Sequence, residues 1–196
     1  MAAEVLEDLG FGDLGFYSLS VLYFTFAFSC FIATPIVNKC GERFSMTLGA
    51  FCYFTYVSSF VFASASIKYE EKQLAILGKG VIEAIILITA AFNGFGASIL
   101  WVAQGRYLSC IANDSNKGTY NSIFFAFFMA CLIVGVLFGA IVLDNTDAFT
   151  FYCAMSATCL ASSMFFLLLP SVNSQENHTD SSKDIVKPQV IENEMK

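Results

Sequence analysis

Charge divides this chain into long silent stretches. Twenty-five uncharged residues lie between Asp13 and Lys39, 24 between Arg43 and Lys68, and 22 between Glu83 and Arg106. A further 26 separate Lys117 from Asp144, and 28 separate Asp147 from Glu176. A helix crossing the hydrocarbon core needs about 20 apolar residues at about 1.5 Å rise each. Five runs meet that need, so the pattern predicts five spanning helices at 14–37, 44–66, 81–104, 121–143 and 148–169. A barrel strand would need only about 9–11 residues of alternating polarity, and none of these runs alternates cleanly. The expected fold is an all-α membrane protein.

The polar segments fall where connections are needed. NKCGER over 38–43 reads as a tight charged turn, IKYEEKQ over 67–73 and SCIANDSNKG over 109–118 as polar loops, and DNTD over 144–147 as a short hairpin. Pro170 cannot continue a helix and closes the fifth span. The chain thus divides into an acidic segment 1–13, a transmembrane domain 14–169 and a polar tail 170–196 expected to be disordered and cytoplasmic.

Composition sharpens the class. Hydrophobic residues make up 57% and charged residues 13% of the 196, about half the charged share of a soluble domain. The net charge of −6 and the lack of a basic stripe exclude a nucleic-acid binder. The acidic start lacks the basic n-region of a cleavable signal peptide, and Ala2 is not the glycine that myristoylation requires. Lys and Arg set the orientation. With the N-terminus outside or lumenal, Lys39, Arg43, Arg106, Lys117, Lys183, Lys187 and Lys196 lie inside, against Lys68, Lys72 and Lys79 outside. The C-terminus is then cytoplasmic. The sequons at Asn113 and Asn177 should stay bare, and a glycan on either would reverse the assignment.

Little in the chain resembles catalytic chemistry. The only histidine, His178, lies in the tail, and the five predicted spans contain no Asp and no Glu except Glu83, at the outer end of the third. No Ser–His or Cys–His arrangement can form within the membrane, and no metal or cofactor is expected. The seven cysteines contain no C-x-x-C; five fall within spans as small hydrophobes, while Cys40 and Cys110 at the inner face could carry palmitate or stay inert. Gly10, Gly12 and Gly15 spell G-x-G-x-x-G, but no strand precedes them, so they read as a flexible approach to the first span rather than a nucleotide loop.

The third span carries most of the polar interest. Asn93 and Gln104 cannot face lipid unpaired and should meet another helix or a cavity. Gly94, Gly96, Ala97 and Ser98 permit close helix approach, and Arg106 with Tyr107 would anchor the inner interface. Glu83 can pair with Lys79 one turn earlier or mark the mouth of a cavity, so Glu83, Asn93 and Gln104 form a candidate polar set. In the fourth span Gly135 and Gly139 form a G-x-x-x-G packing pair.

Several segments resemble the UNC-93-like family of the major facilitator superfamily. The stretch from Leu14 to Val57 is similar to that family's second helix, first inner loop and start of the third helix. NGFGASILWVAQGRYLS resembles its signature, carried here by Gly94, Gly96, Leu100, Trp101, Gln104, Gly105, Tyr107 and Leu108. Gly41, Glu42 and Arg43 form a reduced version of the superfamily's inner-loop turn, and Asn121, Ser122, Ile123 and Phe124 match a further stretch. The resemblance covers roughly 10–170 and implies helices two to six of an N-terminal half, without the first helix or the second half. It implies a non-enzymatic membrane protein that partners an ion channel or a receptor within the lipid bilayer, or pairs with a second copy. The alternative it implies is a solute or ion transporter, as a fragment or through oligomerisation; a degenerate copy is a third reading.

Overall fold

The computed structural model describes residues 2–68, 78–113 and 115–170. Described residues form helices and turns only: α1 (Ala2–Leu6), a π-helical turn (Glu7–Phe11), α2 (Leu14–Cys40), α3 (Glu42–Lys68), α4 (Lys79–Ile111), α5 (Lys117–Asn145) and α6 (Ala148–Phe166). Helices α2 to α6 are each long and apolar enough to cross a membrane, as the uncharged runs predict. Helices α2 to α5 extend beyond those runs because polar helix ends keep their backbone bonded in the interface; α4 continues through Ser109–Ile111, which the sequence pattern assigns to a loop. The fifth span stops at Phe166 and leaves by turns toward Pro170. Most of the 67–73 loop, the tail over 171–196 and with it the sequon at Asn177 lie outside the described residues.

Helix α4 is the axis of the bundle. It packs along α2 on one side and α3 on the other, and α3 in turn packs on α6, while α2 and α3 meet little. Glycine makes this closeness possible. A Cβ on Gly94 would stand 2.3 Å from the Leu22 carbonyl oxygen of α2, and one on Gly96 would stand 2.3 Å from the Cys52 Cβ of α3. Four buried serines complete the contacts by donating to carbonyls one turn back: Ser18 to Gly15, Ser59 to Tyr56, Ser64 to Phe60 and Ser98 to Phe95.

Two apolar clusters cap the ends of this block. One gathers Leu6, Phe11, Phe60, Ile82, Ile86 and Tyr152; the other gathers Ala33, Val37, Met46, Ile99 and Ala103. The first depends on the amino-terminal segment, which is more ordered than a flexible approach. Gly10 and Gly12 take positive φ values of 80° and 55°, a region open to glycine, and so reverse the chain. Helix α1 then lies back on α2 with Ala3 against Gly15, where any Cβ would come within 2.4 Å of the Ala3 Cα. Lys79 secures the turn from outside by donating to the Gly10 carbonyl at 2.7 Å, with its ammonium 5.7 Å from the Phe11 ring centroid. It forms no ion pair with Glu83 among the described residues.

Helix α5 stands apart. It touches α4 and α6 only sparsely, and Gly139 is its one buried residue. Trp101 of α4 meets Phe128 of α5 edge to face at 5.2 Å.

Candidate functional site

Two places in the bundle combine polar groups with burial. The first is a clamp where α2, α3, α4 and α6 end together. Gly41 breaks the chain between α2 and α3 with φ 81°, and its N–H still donates to the Val37 carbonyl at 2.9 Å. The break starts α3 at Glu42, which is only 7% exposed. Because α3 runs antiparallel to α4, the start of one meets the end of the other, and Arg106 Nε lies 2.6 Å from Glu42 Oε1. The same guanidinium donates to Asn38 Oδ1 of α2. Arg43 reaches the other way and donates to the Leu167 carbonyl just past α6. One short loop thus ties four helix ends, and the buried carboxylate has the paired, charge-assisted partner it needs. Tyr107 packs on the adjoining apolar cluster.

The second place is a cleft of about 450 Å³ midway along α2, α3 and α4. Tyr23, Tyr53, Tyr56 and Trp101 wall it, Leu19 borders it, and Asn93 lies within it. The Tyr56 hydroxyl is 3.1 Å from Ser18 Oγ. Asn93 is 1% exposed, and its side-chain oxygen has no hydrogen-bond partner among the described residues. Among the described residues no charged side chain lines the cleft.

These positions separate the residues that the sequence groups together. Asn93 is in the cleft; Glu83 and Gln104 are half-buried and outside it. Ten and eleven residues of helix place them about 15 and 17 Å from Asn93 along the axis. Gly94 and Gly96 are spent on contacts with α2 and α3, whereas a side chain at Gly105 or Gly135 would enter open space. Sequence reasoning does not find the Glu42–Arg106 pair or the tyrosine walls. The one available signal is topological: alternating helices put both charges on the same side of the membrane. All seven cysteines are free thiols, with Cys40 and Cys110 exposed at the clamp's end of the bundle and Cys52 buried.

The long apolar helices with charged groups gathered at their ends define a multi-pass α-helical membrane protein. The family model described as "Ion channel regulatory protein UNC-93" matches residues 12–196, and the chain belongs to that family. It is 26% identical over 181 residues to the UNC93-like protein MFSD11 of Xenopus tropicalis, covering 89% of this chain and 37% of that protein. Similarity to the Xenopus laevis UNC93-like protein MFSD11 is 25% over 92% of this chain and 38% of that one. UNC93-like protein 3 of Arabidopsis thaliana is 29% identical over 69% of this chain and 28% of its own length. The chain therefore spans well under half the length of the curated relatives it matches. No solved structure matches it.

Proposed function

We propose that this chain acts without catalysis as a partner of another membrane protein, an ion channel or a receptor, through contacts between helices. The observation that carries the reading is α5. Its 29 residues are strongly apolar, yet only Gly139 is buried. Gly135, one turn before it, faces open space beside exposed Ile133, Val134, Leu137 and Phe138. Without a hydrophobic driving force between helices in lipid, small residues that let backbones approach are what favour association. The family's description as ion channel regulatory proteins supports the same reading. The proposed orientation places the N-terminus outside or lumenal and the clamp on the cytoplasmic side, so the sequon at Asn113 stays unmodified.

The cleft supports a second reading, solute or ion transport by a longer chain or an oligomer. Against it, Glu83 and Gln104 do not join Asn93 there.

The test co-expresses the chain with a tagged potassium channel or a tagged receptor and measures co-purification and radiolabelled solute uptake. Gly135→Leu should cut co-purification severalfold while leaving thermal unfolding unchanged, because the new side chain meets nothing within the chain. An Asn93→Leu/Gln104→Leu variant that loses uptake but keeps its partner would refute the partner reading in favour of transport.

A further inference from the structure

We propose that the amino-terminal hairpin, α1 with the π-helical turn and Gly12, is a releasable plug. In the shut form it fills a socket between α3, α4 and α6, at the end of the bundle opposite the clamp. When it lifts, the socket opens while the helices around it keep their places.

Plug and socket match in chemistry. Leu6 is fully buried and Phe11 is 9% exposed, in one cluster with Phe60 of α3, Ile82 and Ile86 of α4, and Phe151 and Tyr152 of α6. The other side of the hairpin is made for water, since Glu4, Glu7, Asp8 and Asp13 are all exposed. Apolar burial therefore holds the plug shut, and four carboxylates send it into water rather than lipid once it lifts.

The hold is local. Helix α1 has five residues, well under the roughly 12–15 that an isolated helix needs, so the hairpin keeps its shape only while seated. Besides the seat of Ala3 on Gly15, its tie to the bundle is Lys79, an exposed side chain that bonds the Gly10 carbonyl and lies over the Phe11 ring. Gly10 and Gly12 form the hinge. Both are exposed, both have positive φ, and a Cβ on either would meet nothing.

The socket has its own supports. The Phe60 and Tyr152 rings stack at 5.3 Å, and Ser58 donates to Ser156 Oγ at 3.3 Å, which joins α3 to α6. Gly49 and Gly96 lock α3 on α4, where a Cβ would come within 2.6 Å and 2.3 Å of the opposite helix. None of these contacts involves the hairpin. An apolar cavity of about 220 Å³ shares Phe60, Phe151 and Tyr152 with the socket and reaches Leu143 of α5. On the partner reading above, the socket is a docking point that exists only while the hairpin is lifted; the plug itself does not depend on that reading.

Hydrogen exchange of the full chain in detergent, resolved by mass spectrometry, tests the plug. Amides of Leu6–Phe11 should exchange through one shared opening, at least about a hundredfold more freely than those of α4 around Asn93. Gly10→Val puts a β-branched residue into a left-handed conformation without touching a neighbour, and should raise that opening roughly tenfold. Gly10→Asn tolerates the same conformation and should stay within about threefold of the unsubstituted chain. Exchange in α4 should be unaltered in both. Ile82→Cys puts a thiol into the socket at a position only 1% exposed. Its alkylation by a maleimide should follow the hairpin's opening and rise by the same factor when Gly10→Val is added. Where Ile82→Cys does not fold, the exchange series decides alone. No channel or receptor takes part, so failure here is distinct from failure of the partner reading. The plug is overturned if Gly10→Val loosens α3, α4 and α6 as much as the hairpin, which would make the segment part of one cooperative core. It is overturned equally if Ile82→Cys reacts no faster once the hinge is strained.

Discussion

Removing Arg106 should harm this protein more than removing the charge of Glu42, although the two form one ion pair. The asymmetry follows from their surroundings. The side chain of Glu42 is 8% exposed and that of Arg106 is 37% exposed, with 2.6 Å between the charged atoms. Arg106→Met leaves a carboxylate shut away from water without its partner. Breaking a buried pair in this way costs about 3–5 kcal/mol, and the partial exposure of Arg106 places this case near the lower limit, about 3 kcal/mol. Glu42→Gln leaves an amide that can still accept a hydrogen bond, facing a guanidinium that can turn to water and keep Asn38. That loss is about 1 kcal/mol, the size of a single hydrogen bond. At about 2–4 °C per kcal/mol for a chain of this size, the expected drops in melting temperature are about 6–12 °C and about 2–4 °C. Trp101 emission during a thermal ramp in detergent reads both. In the double variant Glu42→Gln/Arg106→Met the loss should fall below that of Arg106→Met alone, because the stranded charge is gone. Equal losses in the two single variants, or a double variant no better than Arg106→Met, would show that burial of Glu42 does not govern the clamp.

Glycine positions supply a second contrast. Gly94→Ala forces a Cβ against the Leu22 carbonyl and should cost about 1–3 kcal/mol, whereas Gly105→Ala meets nothing and should be neutral or stabilising by up to about 1 kcal/mol, as parallel melts will check. Lys79→Met removes the bond to the Gly10 carbonyl, so hydrogen exchange should quicken over Leu6–Phe11 while the middle of α4 stays protected. Cys52, packed against Gly96, should react with a maleimide only on unfolding, while exposed Cys30 and Cys131 should react in the folded protein in detergent; mass spectrometry of labelled peptides distinguishes them.

The five spans were legible because one physical fact writes them in plain text: charge is too costly to place in hydrocarbon, so its absence marks the helices. The family was legible for a local reason, since its signature lies within one helix, from Gly94 to Leu108. What escaped was whatever depends on two helices at once. Glu42 and Arg106 are 64 positions apart and meet only because α3 and α4 run antiparallel in contact. Tyr23, Tyr53 and Tyr56 look like ordinary aromatic residues until α2 and α3 close around Asn93. The amino-terminal hairpin was hidden differently. Acidic side chains at Glu4, Glu7 and Asp8 mask the buried pair Leu6 and Phe11, whose five-residue separation fits neither a helical nor a strand face until the π turn supplies it.

The uneven packing around α4 also decides where this protein can deform. On the flanks that α2 and α3 cover, glycine brings them so near α4 that sliding would drive backbone into backbone; that block must move as a rigid body. On the other flank α5 rests on α4 through few contacts, Trp101 against Phe128 among them, with nothing interlocked to resist a shift. Any rearrangement driven by voltage, lipid thickness or a neighbour should therefore run along the α4–α5 seam, with the tryptophan as its strain gauge.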